Sequence, residues 1–176
     1  SFARMLGIIE DETHFMAIDG PHKATIVNGS VCLQMKDIRK VEVLGDDIVI
    51  DSGSPHYIKR VDNLQSLDVD KEGKRIRNSS SFKQDGINVD FVSAVNGKLE
   101  IRTYERGVEA ETLSCGTGVV ATAIALHYSN CIDKETVYVK TKGGILSVVF
   151  EELEGVYKNI WLEGGVDMVY SGEFEC

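Results

Sequence analysis

Leu113-Ser114-Cys115-Gly116-Thr117-Gly118-Val119-Val120-Ala121-Thr122-Ala123-Ile124-Ala125-Leu126 runs from a glycine-containing turn into a block that is apolar nearly all round. A helix with no polar face cannot lie on a surface, so this one belongs inside the fold with other elements packed around it. The 21 residues 112–132 carry no formal charge. Ser114, Gly116, Thr117, Gly118, Thr122, His127, Ser129 and Asn130 interrupt them, however, and the block 119–126 is far short of the roughly 20 residues that cross a bilayer. The stretch therefore reads as a central core helix.

Outward from that helix the pattern is one of strands. Val89, Phe91 and Val95 precede Asn96-Gly97, and Leu99, Ile101 and Thr103 follow in alternation, which predicts two strands joined by a tight hairpin. Asn-Gly suits a type I′ turn because both central residues need positive φ. That hairpin delivers the chain to Tyr104-Glu105-Arg106-Gly107. Strands are also predicted over 137–140, 145–150 and 157–162, separated by Gly143-Gly144 and an acidic turn at 151–155. Nearer the start, 14–18, 22–27 and 30–35 read as short strands punctuated by Asp19-Gly20-Pro21 and Asn28-Gly29. Phe2, Met5, Leu6, Ile8 and Ile9 recur at helical spacing, so the first ten residues are predicted as an amphipathic helix. The polar stretch 68–85 reads as a solvated helix or loop. The order helix, Glu-Thr, strand, Gly turn, strand occurs around Glu12-Thr13 and again around Glu135-Thr136, an internal echo of two similar halves.

A chain of 176 residues with 43% hydrophobic and 27% charged residues lies in the ordinary globular range, which excludes disorder and collagen-like repeats. With 19 Lys and Arg against 28 Asp and Glu, the formal net charge of −9 repels a phosphate backbone, so nucleic acid is not an expected partner. Cys32, Cys115, Cys131 and Cys176 form no Cys-x-x-Cys pair, and His14, His22 and His127 lack a metal-ligand partner at a useful spacing. Neither a metal site nor a disulfide framework is expected. Scattered thiols and the lack of a basic, then apolar, leader point to a reducing cytoplasm. The opening Ser1-Phe2-Ala3-Arg4, with no initiator Met ahead of a helix-like run, reads as a sequence entered midway.

Cys115 sits where the turn feeds the buried helix, at the positive end of its dipole. A thiol so placed ionises more readily, and the free N–H groups of the first turn can hold a carboxylate. Glu105 and Arg106, ten and nine residues upstream at a predicted strand end, can return to the same pocket. Thiol, carboxylate and guanidinium together suit a zwitterionic amino-acid substrate. Two other readings stand beside this one: Cys115 as a small buried hydrophobe, and Cys115 as the nucleophile of a thiol hydrolase with His56 as base.

The run from Tyr104-Glu105-Arg106-Gly107 through Leu113-Ser114-Cys115-Gly116-Thr117-Gly118 resembles the second-cysteine signature of the diaminopimelate epimerase family. Gly53-Ser54-Pro55-His56 resembles that family's Gly-Asn-Pro-His, and Gly86-Ile87-Asn88-Val89 its Val-Asn segment. Leu162-Glu163-Gly164-Gly165 with Val169-Tyr170-Ser171-Gly172 resembles its C-terminal end, and Phe2-Ala3-Arg4 the residues after its first Cys-Gly-Asn-Gly motif. The likeness covers essentially the whole chain but only the later two-thirds of the family's length. It implies an α+β fold in which a curved, mostly antiparallel sheet wraps a central helix, within a pseudo-symmetric two-domain architecture of which one domain is complete. Residues 1–36 would be the rear of the N-terminal domain, 37–165 the C-terminal domain, and 166–176 a tail returning toward the first. Left without the rest, the first segment would expose apolar surface and favour self-association.

The same resemblance implies a cytoplasmic isomerase of lysine biosynthesis that interconverts LL- and meso-diaminopimelate without pyridoxal phosphate or any other cofactor. Two cysteines on opposite faces of the α-carbon act as thiolate base and thiol acid, and two helix N-termini hold the reacting carboxylate. Cys115 would be one of the pair, with Gly116 and Thr117 as backbone donors and with His56 and Glu105 helping the proton exchange. Glu105 and Arg106 would engage the distal end of the substrate, assisted by Asn88. Ser54 stands where the family usually has Asn, which rearranges one hydrogen bond at that end. The other cysteine maps ahead of Ser1, so the chain is expected to be incomplete and inactive alone. Expected partners are a small diamino-dicarboxylate substrate and a second copy in a homodimer, with no membrane association. Two readings remain beside it. One is a proline-racemase-like or phenazine-isomerase-like enzyme, which Glu105-Arg106-Gly107 and Asn88 speak against; the other is a non-catalytic amino-acid-binding half.

Overall fold

The computed structural model describes residues 1–95 and 98–173. In chain order its elements are α1 (Phe2–Met5), β1 (Glu12–Ala17), β2 (Gly20–Val27), β3 (Ser30–Gln34), β4 (Val41–Leu44), β5 (Asp47–Asp51), β6 (Pro55–Arg60), α2 (Val69–Arg77), β7 (Asn88–Val95), β8 (Lys98–Glu105), β9 (Ala110–Thr112), α3 (Gly116–Tyr128), β10 (Thr136–Lys140), β11 (Ile145–Leu153) and β12 (Val156–Gly165). The strands join in the order β1-β2-β3-β12-β11-β10-β8-β7-β6-β5-β4, with β9 added beside β8. Among the described residues only the β6–β7 and β10–β8 pairs are parallel. The fold is thus α+β with a mostly antiparallel sheet.

The uncharged helix is where its composition puts it. Every residue of α3 from Gly118 to Leu126 is buried, and the helix packs against β5, β6, β7, β8, β10, β11 and β12. Its side chains fill one cluster with Ile50, Ile58, Val92, Ile101, Val139, Val148, Phe150 and Ile160. A second, smaller cluster lies under α2, where Val69, Ile76, Val89, Phe91 and Tyr104 meet. The polar stretch 68–85 forms this helix because its ends are written for one: the Asp68 side chain accepts from Lys71 N, acids occupy the first turn and Lys74, Arg75 and Arg77 the last.

Three expectations need correction. The predicted helix over the first ten residues is only the four of α1, because Gly7 at φ +69° turns the chain out of helical geometry. The turn placed at 151–155 is tighter, since β11 continues through Glu151 and Glu152 to Leu153 and only Glu154-Gly155, both at positive φ, make the reversal. Sequence reading also passed over β4, β5, β6 and the short β9. The hairpin at Asn28-Gly29 is present, with both residues at positive φ and Val27 opposite Ser30. The predicted turn at Asn96-Gly97 lies outside the described residues.

Strands β1 to β3 enter the sheet through the β3–β12 ladder, in which Leu33 faces Leu162 and Cys32 faces Glu163. Along this segment Phe2, Met5, Leu6, Ile8, Met16 and Ile18 are exposed. Residues 166–173 carry neither helix nor strand. No described helix is long and apolar enough to cross a membrane.

Candidate active site

The sheet brings to the head of α3 residues that lie far apart in sequence. Cys115 is the N-cap, in extended conformation, and the first intrahelical bond runs from Val119 N to Cys115 O. The N–H groups of Gly116, Thr117 and Gly118 therefore precede the helical ladder and point along the positive end of the dipole. Facing them is the β5–β6 connection, where Ser52 Oγ donates to Thr117 O at 2.8 Å and Gly53 N donates to Asp51 Oδ1 at 3.0 Å. Ser54 and His56 follow directly. The parallel β6–β7 pairing sets His56 opposite Asn88, and the β7–β8 register sets Asp90 opposite Thr103.

These placements create a continuous polar chain. Cys115 Sγ lies 3.4 Å from Thr117 Oγ1, which lies 2.8 Å from His56 Nε2. His56 Nδ1 donates to Asp90 Oδ2 at 2.7 Å, and Thr103 Oγ1 donates to Asp90 Oδ1 at 2.7 Å. Ser54 Oγ sits beside the junction, 3.0 Å from His56 Nε2 and 3.1 Å from Thr117 Oγ1. The His56 and Asp90 side chains are wholly buried. Burial alone would push the imidazolium toward neutrality; the charge and hydrogen bond of Asp90 outweigh it, the nearby Cys115 sulfur adds to them, and the His56 pKa is raised to about 10. A protonated His56 then donates from Nε2 to Thr117 Oγ1, which leaves the Thr117 hydroxyl proton free to point at Cys115 Sγ. The arrangement can move a proton to or from the sulfur while keeping a compensating positive charge nearby.

Of the residues singled out from sequence, Cys115, Thr117, His56, Ser54 and Asn88 share one hydrogen-bonded cluster. Asn88 Nδ2 donates to Ser54 Oγ at 3.2 Å and Pro55 O at 3.0 Å, while its Oδ1 accepts from Arg106 N at 2.8 Å. Arg106 thus touches the cluster through its backbone; its guanidinium turns to the rim and donates to Asp85 O at 3.1 Å. Glu105 ends β8, and among the described residues its carboxylate makes no hydrogen bond to the cluster. Gly116 lies against Leu162 of β12. Asp90, Thr103 and Ser52 escaped the sequence reading, as did the Thr117 hydroxyl, which was expected to contribute only its backbone N–H. Asp90 had a signal: Asn88 and Asp90 are polar at i and i+2 in a strand that is apolar apart from them and Ser93, so they share a face. Among the described residues no group of three or more His, Cys, Asp or Glu could hold a metal ion.

Solved structures define the class of fold. A hydroxyproline epimerase from Agrobacterium vitis superposes with a TM-score of 0.63 over 93% of this chain and 61% of its own, at 17% identity. A phenazine biosynthesis PhzC/PhzF protein from Clostridium difficile gives 0.65 over 99% and 69%, at 9% identity. At such low identity these show shared architecture alone. Sequence goes further. The diaminopimelate epimerase family profile matches residues 48–161, which include every member of the cluster. The diaminopimelate epimerase of Flavobacterium psychrophilum is 42% identical over 172 residues, 97% of this chain and 67% of that one. That of Aquifex aeolicus is 36% identical over 97% of this chain and 64% of its own length. The chain belongs to the diaminopimelate epimerase family and spans about two-thirds of the length of these relatives.

Proposed function

We propose that the head of α3 carries one face of a cofactor-independent proton transfer at the α-carbon of diaminopimelate, in an isomerase that interconverts the LL and meso forms. The observation behind this reading is the continuous path from Cys115 through Thr117 to the buried His56–Asp90 pair, set beside the open N–H groups of a helix N-terminus. In the transfer, the Cα–H bond breaks and an S–H bond forms on Cys115, and the electron pair passes to the substrate carboxylate as an enediolate. The N–H groups of Gly116 and Thr117 receive that developing charge, the kind of stabilisation that dominates many enzymatic rate enhancements. His56, charged and held by Asp90, keeps a positive charge beside the sulfur and supplies a proton path to it through Thr117.

Inversion needs a second proton donor on the opposite face. Cys32 lies on β3 opposite Thr25 and Glu163, and Cys131 lies beyond α3 with Arg60 Nη1 3.1 Å from its sulfur, so neither shares the Cys115 cluster. Asn88, Glu105, Arg106 and Ser54 serve the distal amino-acid end of the substrate. Residues 1–36 belong with an N-terminal half, 37–165 form the C-terminal half, and the stretch from 166 returns toward the former. A homodimer in the cytoplasm completes the proposal.

The test is α-proton exchange. Incubated with LL- or meso-diaminopimelate in D₂O, with no cofactor added, a protein that joins these residues to the thiol of the opposite face should label the α-carbon, and Cys115→Ala in it should reduce the labelling rate at least about 100-fold, the contribution usual for a positioned acid–base group. Labelling by that protein that is absent, or that survives Cys115→Ala, refutes the assignment, and labelling by residues 1–176 alone refutes the need for a second thiol.

A further inference from the structure

The β1–β2 hairpin reaches the same site from the other side. His22 Nδ1 lies 2.8 Å from Gln34 O and its Nε2 lies 2.9 Å from Asp19 Oδ1. A carbonyl and a carboxylate are acceptors only, so both ring nitrogens must carry protons and His22 is an imidazolium. Its side chain is 6% exposed and stacks on Phe15 with centroids 5.5 Å apart. His22 is therefore pinned to β3 through Gln34, and it in turn holds one oxygen of Asp19. The pair strengthens itself: the hydrogen bond to Asp19 raises the His22 pKa, and the bond to His22 lowers that of Asp19. Lys36, bonded to Asp51 Oδ1 at 2.8 Å, adds positive charge on the same side.

The second oxygen of Asp19 faces Gly53 in the β5–β6 connection. The point where a Cβ on Gly53 would sit is 2.9 Å from Asp19 Oδ2 and 3.3 Å from Thr117 Cγ2. Gly53 thus lies against both the Asp19 carboxylate and the Thr117 methyl, while the Thr117 hydroxyl is turned to His56, Ser54 and Cys115. Rotating Thr117 about χ1 would carry its methyl off this wall and its hydroxyl out of the chain of hydrogen bonds.

We infer that the Asp19–His22 pair is a positioning device that walls in the Thr117 methyl across Gly53, and so fixes the rotamer in which Thr117 connects Cys115 to His56. The inference rests on the proposed role of Cys115. It assigns a function at the site to the β1–β2 hairpin, which contributes no atom to the Cys115–Thr117–His56–Asp90 chain itself.

The experiment reads Cys115 alkylation by iodoacetamide at pH 7, followed by peptide mass spectrometry, with Cys32 and Cys131 in the same sample as internal references. In the wild type Cys115 should react fastest. Asp19→Asn, which keeps the shape and removes the charge that holds His22, should slow Cys115 alkylation about threefold. Thr117→Ser, which keeps the hydroxyl and removes only the walled-in methyl, should slow it by a similar factor, and the double variant should be no slower than Thr117→Ser alone, because both act through one rotamer. Wild-type reactivity in Thr117→Ser, or losses that multiply in the double variant, overturn the inference. If Asp19→Asn does not fold, Thr117→Ser decides by itself. A wild-type Cys115 no faster than Cys32 and Cys131 sinks the proposed role of the thiol, and this inference with it.

Discussion

Replacing Gly118 with Ala opposes two effects of known size. Inside a helix Ala is favoured over Gly by about 1 kcal/mol. The added methyl, however, would lie 2.7 Å from Asp90 Oδ1 and 3.1 Å from His56 Cε1. Neither group has room to retreat, since Oδ1 already accepts the 2.7 Å bond from Thr103 Oγ1 and both side chains are wholly enclosed. Overpacking of this kind costs about 1 to 3 kcal/mol, and spoiling a hydrogen bond between charged partners costs about 1.5 to 3 more. The net expectation is a loss of about 1.5 to 5 kcal/mol, with each kcal/mol lowering Tm by about 2 to 4 °C at this chain length. Urea and thermal unfolding measure the loss, and alkylation of Cys115 in the folded protein should slow together with it. Ile160→Val is the control: Ile160 is fully buried in the α3 cluster, so the change costs about 0.5 to 1.5 kcal/mol but leaves Cys115 alkylation unaltered. A Gly118→Ala protein at least as stable as the wild type, with unchanged Cys115 reactivity, would show that the His56–Asp90 pair does not occupy the space beside Gly118.

Two further outcomes follow from the same contacts. With Asp90→Asn the imidazolium loses its main counter-charge and only the Cys115 sulfur is left to oppose burial, so His56 should titrate far below the wild-type ring, which stays protonated until about pH 10; NMR of the ring resonances distinguishes the two. Because the folded value lies above the unfolded one, the stability the pair contributes is complete below about pH 6.5 and disappears as pH rises through the folded value; an Asp90→Asn deficit that grows with pH over that window contradicts the assignment. Arg102→Ala tests a different kind of contact, since Arg102 grips Glu111 at 2.6 and 2.7 Å and the carbonyls of Leu64 and Leu67 at 2.8 and 2.9 Å. It should cost about 2 to 4 kcal/mol in urea unfolding while Cys115 alkylates at the wild-type rate, and a fall in that rate would mean that the two regions are coupled.

How much of this was legible in the sequence depended on the range of the forces involved. The position of α3 was readable because a helix without a polar face has one place to go, and the hairpin at Asn28-Gly29 because positive φ is a local demand that few residues meet. The first-ten-residue helix failed for a related reason. Apolar spacing alone does not hold a helix together, and Gly7 ended it before a face could form. Strands β4 to β6 were missed because their alternation is short and is stabilised by neighbours far along the chain, β6 pairing in parallel with β7.

The site divides in the same way. Residue order by itself put Cys115 at the head of a buried helix, and it supplied the motif resemblance that pointed to His56, Asn88, Glu105 and Arg106. It said nothing of which way the Thr117 hydroxyl turns, that Asp90 sits under His56, that Arg106 joins through its N–H and not its guanidinium, or that Asp19 comes within reach of Gly53. Those depend on partners such as His56 and Thr117, 61 residues apart in the chain. A hydrogen bond at 2.8 Å requires both strand registers and the head of the helix to be in place at once, and only the packed sheet around α3 supplies that coincidence.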